Sequence, residues 1–204
     1  ELGDNTAALR TALSADALLR RALQSPAAQV AILGHTRWAS VGIISEPNTH
    51  PLNSYELEES AGETPPYVVA ALNGDVDNHA DLRIAHGLRI APTITTDAKV
   101  IPALVARRAA TTPLVEAFRR TVAEFEGSVA IGLASAQDPS KLFLALRGSG
   151  QGLYVGLAED CFIVASEPYG VVEETARYVR MDGEHGGEII VLDGESAGEL
   201  DGIV

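Results

Sequence analysis

Cysteine is almost missing from this chain: Cys161 is the only one in 204 residues. A single thiol excludes an internal disulfide and any cysteine-based zinc spacing, and it fits a reducing, cytoplasmic setting. Basic residues are scarce as well, 15 Lys and Arg against 28 Asp and Glu, which leaves a net charge of -13. Nucleic acid and anionic membranes need clustered cations, so neither is an expected partner. No apolar run approaches the ~20 residues that span a bilayer. No signal-peptide pattern opens the chain, which begins at Glu1 rather than at methionine and so reads as a piece of something longer. Internal repeats and low-complexity blocks are absent too.

What remains is an ordinary globular composition, 46% hydrophobic and 21% charged. Residues 1–193 read as one domain and 194–204 as an acidic tail or linker. Residues 5–24 carry leucines near helical spacing and predict a helical pair packing on the domain. Asp4 or Asn5 caps the first helix, and Ser14 with Asp16 starts the second. The apolar run 30–33 reads as a buried strand. Residues 41–67 are long and irregular, and their acidic part, 56–64, reads as a solvated insertion. A strand over 67–72 is stopped by the turn signal Asn73-Gly74-Asp75 and followed by a helix start at 77–83. Helices follow at 98–108, with Thr96 or Asp97 as cap, and from Thr112 to about Phe125, with Leu114, Val115, Phe118 and Val122 on one face. From Gly127 the period changes. Strands are expected at 128–134, 142–147, 153–156, 162–166, 177–181 and 188–193, with short turns that favour antiparallel pairing. The sum is α+β, two sheets between helical layers.

Three pieces carry chemistry. Arg37 stands beside Trp38, the sole tryptophan, just past the 30–33 run in Gly34-His35-Thr36-Arg37-Trp38-Ala39-Ser40. It is either a surface arginine beside a half-buried ring or a fork gripping a carboxylate under that ring. Asn73-Gly74 presents a side-chain amide and a backbone N–H at a strand end, a pair of donors suited to an oxyanion. Asp97 is placed to hold an ammonium. Together the three are complementary to an α-amino acid with a reactive carbonyl. A nucleophile is missing, and Cys161, in an apolar strand without an adjacent base, reads as a small buried hydrophobe rather than a substitute.

The ordered pieces Gly34-His35-Thr36-Arg37-Trp38-Ala39-Ser40, Asn48-Thr49-His50-Pro51, Asn73-Gly74 with Asn78-His79 and Leu82-Arg83, and Thr96-Asp97 resemble the class II glutamine amidotransferase domain. The His-Thr-Arg-Trp-Ala run resembles the glucosamine-6-phosphate synthase branch of these N-terminal-nucleophile (Ntn) hydrolases. Phe125-Glu126-Gly127-Ser128, Arg147-Gly148-Ser149 and Ala165-Ser166-Glu167 agree in order. The resemblance covers about residues 30–193. It implies a four-layer αββα sandwich and a glutaminase whose N-terminal cysteine attacks the glutamine side-chain amide. It assigns Asn73 and Gly74 to the oxyanion hole, and Arg37, Trp38, Ser40, His50 and Asp97 to substrate binding. Arg37 would take the α-carboxylate and Asp97 the α-ammonium. The implied partners are L-glutamine and a sugar-phosphate isomerase domain that uses the released ammonia to make glucosamine 6-phosphate, in a homo-oligomeric enzyme. No metal or organic cofactor is implied.

The sequence departs from that pattern in several places. The leading Cys-Gly strand, the Arg-Gly-Tyr-Asp-Ser segment and the isomerase half are absent from these residues. Val41 stands where the synthases have histidine, and Ala98-Lys99 where they have Thr-Glu. The expectation is therefore a sandwich without its first strand, and a chain that does not turn over glutamine. A glutamine-binding or regulatory module that naturally lacks the nucleophile, and the glutaminase domain of another glutamine-dependent transferase, stay open as alternatives.

Overall fold

A computed structural model of the chain describes residues 4–25, 28, 30–36, 40–57 and 65–204. It divides into two compact units, Glu1–Val30 and Ala31–Val204. The first holds the predicted helical pair, α1 (Asn5–Ala15) and α2 (Ala17–Leu23). Asp4 caps α1 by accepting from Ala7 N–H, and Asp16 caps α2 by accepting from Leu18 and Leu19 N–H, all at 2.9 Å. No residue of either helix is buried.

The second unit runs β1 (Leu52–Asn53), β2 (Val68–Gly74), α3 (His79–Ala85), α4 (Val100–Ala109), α5 (Leu114–Ala123), β3 (Val129–Ser135), β4 (Lys141–Arg147), β5 (Tyr154–Leu157), β6 (Phe162–Ala165), α6 (Tyr169–Val172), β7 (Tyr178–Arg180) and β8 (Glu188–Asp193). One sheet has the order β1-β2-β3-β4-β8 and the other β6-β5-β7, and every pair is antiparallel. The central strands of the larger sheet are buried on both faces, and their alternation sorts the core into two layers. Leu72, Val129, Ile131, Leu133, Phe143, Ala145 and Val191 pack with α4 and α5. The intervening Ala130, Leu144, Leu146, Ile190 and Leu192 pack with Val155 of the smaller sheet and with Leu153 and Met181, which flank its strands. On the far side of that sheet, α6 seats Val171 against Gly156 so closely that a Cβ there would lie 2.6 Å from it. The layers are helix, sheet, sheet, helix, as expected for an α+β sandwich, with the last helical layer thinned to one turn.

Local sequence accounts for the helices. α4 is buried at eight of its ten positions because every residue but Arg107 and Arg108 is apolar and it sits inside the helical layer. α5 buries Leu114, Ala117, Phe118, Thr121 and Val122, while Val115, expected on that face, is exposed. Its exposed side carries the ion pairs of Glu116 with Arg119 and Arg120. The carbonyls of Val122 and Ala123 at its end accept from the Arg147 guanidinium at 2.9 and 2.8 Å.

Several expectations are corrected. Residues 30–33 form no strand: Ile32 is 82% exposed, and the run has no ladder partner among the described residues. Leu33 reaches the larger sheet, over Gly132. Asn73 and Gly74 do not stop β2 but belong to it, paired with Ala130 and Val129. Glu56 is no solvated residue: it takes both sides of the Arg107 guanidinium, at 2.7 and 2.8 Å, and the Arg89 N–H. Leu57 is exposed, and residues 58–64 of the expected insertion lie outside the described residues. Cys161 precedes β6 and is exposed, not buried in it. Residues 194–204 fold back, with Val204 and Val191 exchanging backbone hydrogen bonds at 2.8 and 3.0 Å.

Candidate functional site

The site forms where β2 outruns its edge partner. β1 pairs only with Val69 and Ala70, so the next backbone groups on that edge are left to side chains. His50 Nδ1 fills the gap at Leu72, 3.2 Å from its carbonyl oxygen and 3.4 Å from its nitrogen. In an antiparallel strand alternate residues face the same edge, so Gly74 turns its N–H to the side that Leu72 faces. The intervening contacts agree, since Asp75 N–H donates to Ser128 O, on the opposite edge, at 3.1 Å. Among the described residues the Asn73 side-chain amide has no hydrogen-bond partner. Two donors therefore sit side by side at one strand end.

Gly74 is required there by geometry. Its φ is +103°, and a Cβ would fall 2.0 Å from Ser128 O.

Asp97 arrives from the segment before α4. It is 3% exposed, yet it caps nothing: its carboxylate accepts from Val76 N–H at 2.7 Å and from the Thr96 hydroxyl at 3.2 Å. Burial raises its pKa above the ordinary carboxylate value; the Val76 amide and Thr96 hydroxyl oppose the rise, Asp75 adds to it, and His79 opposes it. The segment is anchored by Asn48, which is fully buried. Its side-chain oxygen accepts from Thr95 and Thr96 N–H at 2.8 and 3.1 Å. Its nitrogen faces Ile43 O, Ser45 Oγ and Thr95 Oγ1 at 3.0, 3.0 and 3.1 Å. Residues 40–48 are thereby bound to the strand of chain that delivers Asp97.

A cavity of about 260 Å³ brings together Ser40, His50, Asn73, Gly74 and Asp97, five of the seven residues expected from sequence. Arg37 and Trp38 lie outside the described residues. His35, Thr36, Leu72, Asp75, Thr96 and Gln151 complete the lining. The His35 and His50 rings stack with centroids 4.7 Å apart. Sequence reasoning missed Asp75, which accepts from the Ser40 hydroxyl. It also missed Gln151, a lone amide between two glycines, and the anchoring role of Asn48. The lining offers donors for a carbonyl oxygen and a buried carboxylate for a cation. It contains no cysteine, and no group of three or more His, Cys, Asp or Glu among the described residues is arranged for a metal.

Fold comparison gives the class. The chain superposes on glutamine phosphoribosylpyrophosphate amidotransferase of B. subtilis with a TM-score of 0.60 at 20% identity, over 81% of this chain and 34% of that one. It superposes on an allosteric regulatory enzyme of purine biosynthesis with a TM-score of 0.57 at 19% identity, over 76% and 32%. The fold is that of the Ntn-hydrolase glutamine amidotransferases. In sequence the relatives are of another kind. The chain is homologous to glutamine–fructose-6-phosphate aminotransferases [isomerizing]: 33% identical over 156 residues to that of Gloeobacter violaceus (74% of this chain, 24% of the relative). It is 34% identical over 169 residues to that of Acidithiobacillus ferridurans (81% and 25%) and 29% over 181 residues to that of Bacillus cereus (88% and 28%). The chain thus spans about a quarter of the length of these relatives. No family model matches it.

Proposed function

We propose that this chain carries the glutamine pocket of a glucosamine-6-phosphate-synthase-type glutaminase domain. The observation that supports it most is the convergence of the Asn73 amide, the Gly74 N–H and the Asp97 carboxylate on one cavity. Asn73 and Gly74 stabilise the oxyanion that forms when the glutamine side-chain amide is attacked. Asp97 holds the α-ammonium, Arg37 takes the α-carboxylate, and Trp38 helps cover the site. In the whole protein the released ammonia passes to a sugar-phosphate isomerase domain that makes glucosamine 6-phosphate from fructose 6-phosphate. The 204-residue chain itself does not turn over glutamine, because its one thiol, Cys161, is not in the pocket.

Calorimetric titration with L-glutamine tests the pocket. Saturable binding to the wild-type chain, weakened tenfold or more by Asp97→Asn, is expected; an absence of binding sinks the reading. Ammonia release tests the missing nucleophile. The rate with L-glutamine should equal that of a buffer control, and a rate well above it that disappears in Asn73→Ala would show that the pocket is chemically complete.

A further inference from the structure

Asp97 is not alone in facing the cavity. Its carboxylate accepts from the N–H of Val76, the peptide that directly follows Asp75. Asp75 lines the same cavity, and its own carboxylate is fixed by the hydroxyl of Ser40, a residue 35 positions away in the chain that also lines it. The left-handed turn at Gly74 lets the chain swing from the ladder into this position. Two carboxylates therefore converge around one peptide, in a cavity of about 260 Å³ that the Asn73 and Gly74 donors also line. The described lining residues include no lysine or arginine.

We infer that Asp75, aimed by Ser40, is the second carboxylate of a clamp for the α-ammonium of the ligand, and that it makes a free ammonium a condition of binding. The inference rests on the glutamine reading above and deepens it. Ser40 then acts as a positioning residue through Asp75 rather than as a contact to the ligand. The physical reason is the crowding of like charge. Asp75 already pushes the Asp97 carboxyl upward, and a cation between the two relieves that repulsion, whereas a neutral group does not. A ligand that has the carboxylate and side-chain amide of glutamine but no amino group brings no cation to these two carboxylates.

The test compares L-glutamine with 4-carbamoylbutanoate, its desamino analogue, by calorimetric titration of the whole chain. Wild type should prefer glutamine by at least a hundredfold. Asp75→Asn should weaken glutamine about tenfold or more while leaving the analogue unchanged or tighter. Asp75→Glu should recover part of the loss, and Ser40→Ala should reproduce a smaller part of it without altering charge. Thermal melting identifies any variant that has lost its fold, and Ser40→Ala then carries the test. Equal weakening of both ligands by Asp75→Asn, or no weakening of either, overturns the inference while the glutamine reading stands. Wild type that binds glutamine without preferring it over the analogue overturns the inference as well. Wild type that binds no glutamine overturns both.

Discussion

Asn48 shows how much of this site depends on one side chain that does not line the cavity. It is fully buried, and its oxygen serves two backbone N–H groups that no strand or helix supplies with a partner. Leaving them unpaired in the interior costs about 1–3 kcal/mol each. Asn48→Ala should therefore lower the unfolding free energy by about 3 kcal/mol in urea denaturation; a loss under about 0.5 kcal/mol would show that water or a rearranged loop serves those groups equally well. Gly74 has the same standing in the backbone. In Gly74→Ala the new methyl collides with Ser128 O, so the end of β2 must leave its register with β3. The variant is expected to fold with shifted amide resonances at residues 74–76 and to lose glutamine binding. Neither role was readable as such. Asn48-Thr49-His50-Pro51 is visible in sequence as a turn-prone stretch, but its reach to Thr95 and Thr96 is a tertiary fact. Asn73-Gly74 signals a turn by its local chemistry, and cross-strand pairing with Ala130 and Val129 overrides that signal. Asp97 likewise reads as a helix cap, because capping is the commonest use of an aspartate there. Its pull toward Val76 appears only once β2 lies beside α4.

At the scale of elements, the legible parts are those whose period is set by burial on a known number of faces. The six strands after Gly127 fall within a residue or two of their expected bounds because each is a short apolar run cut off by Gly, Asp or Pro turns. The run at 30–33 is just as apolar, and fails as a strand because a strand requires a neighbour's ladder. A four-residue pattern says nothing about whether one is present. Helix ends depend on partners in a similar way. α5 ends at Ala123, where the Arg147 guanidinium from β4 closes the carbonyls of Val122 and Ala123. Arg147→Met keeps the aliphatic stem and removes both bonds. Charge-assisted hydrogen bonds at a helix C-terminus are worth about 1–2 kcal/mol, so the variant should lose that much stability. Hydrogen exchange locates the effect: faster exchange confined to the last turn of α5 is expected, and uniform change across the second unit would place the loss elsewhere.

For the whole molecule the decisive quantity is charge, because the chain carries -13 and still buries a lysine. Lys99 is 1% exposed, and its ammonium donates to Asn53 O at 2.6 Å, to Tyr55 O at 2.7 Å and to Asn53 Oδ1 at 3.2 Å. Burial lowers its pKa from 10.5 to about 8, with Glu56 opposing the shift. The folded state thus gives up this proton before the unfolded state does. Between about pH 8 and 10.5 the unfolded chain binds more protons at this site, so the contribution of Lys99 to stability grows with pH through that window. It is complete above 10.5 and is lost as pH falls through about 8, where the interior must hold the charge. The general trend runs the other way, since raising pH strips other lysines and adds to the self-repulsion of an already acidic chain. Only a difference measurement separates the two. The unfolding free energy of wild type minus that of Lys99→Met should rise from pH 7.5 to pH 10 by an amount on the order of 3 kcal/mol. A flat difference would mean that the three oxygens around Nζ hold the ammonium as well as water does. In that case loop 52–57 is fastened to the helical layer by an ordinary cation, and Glu56 with Arg107 carries the remainder of that attachment.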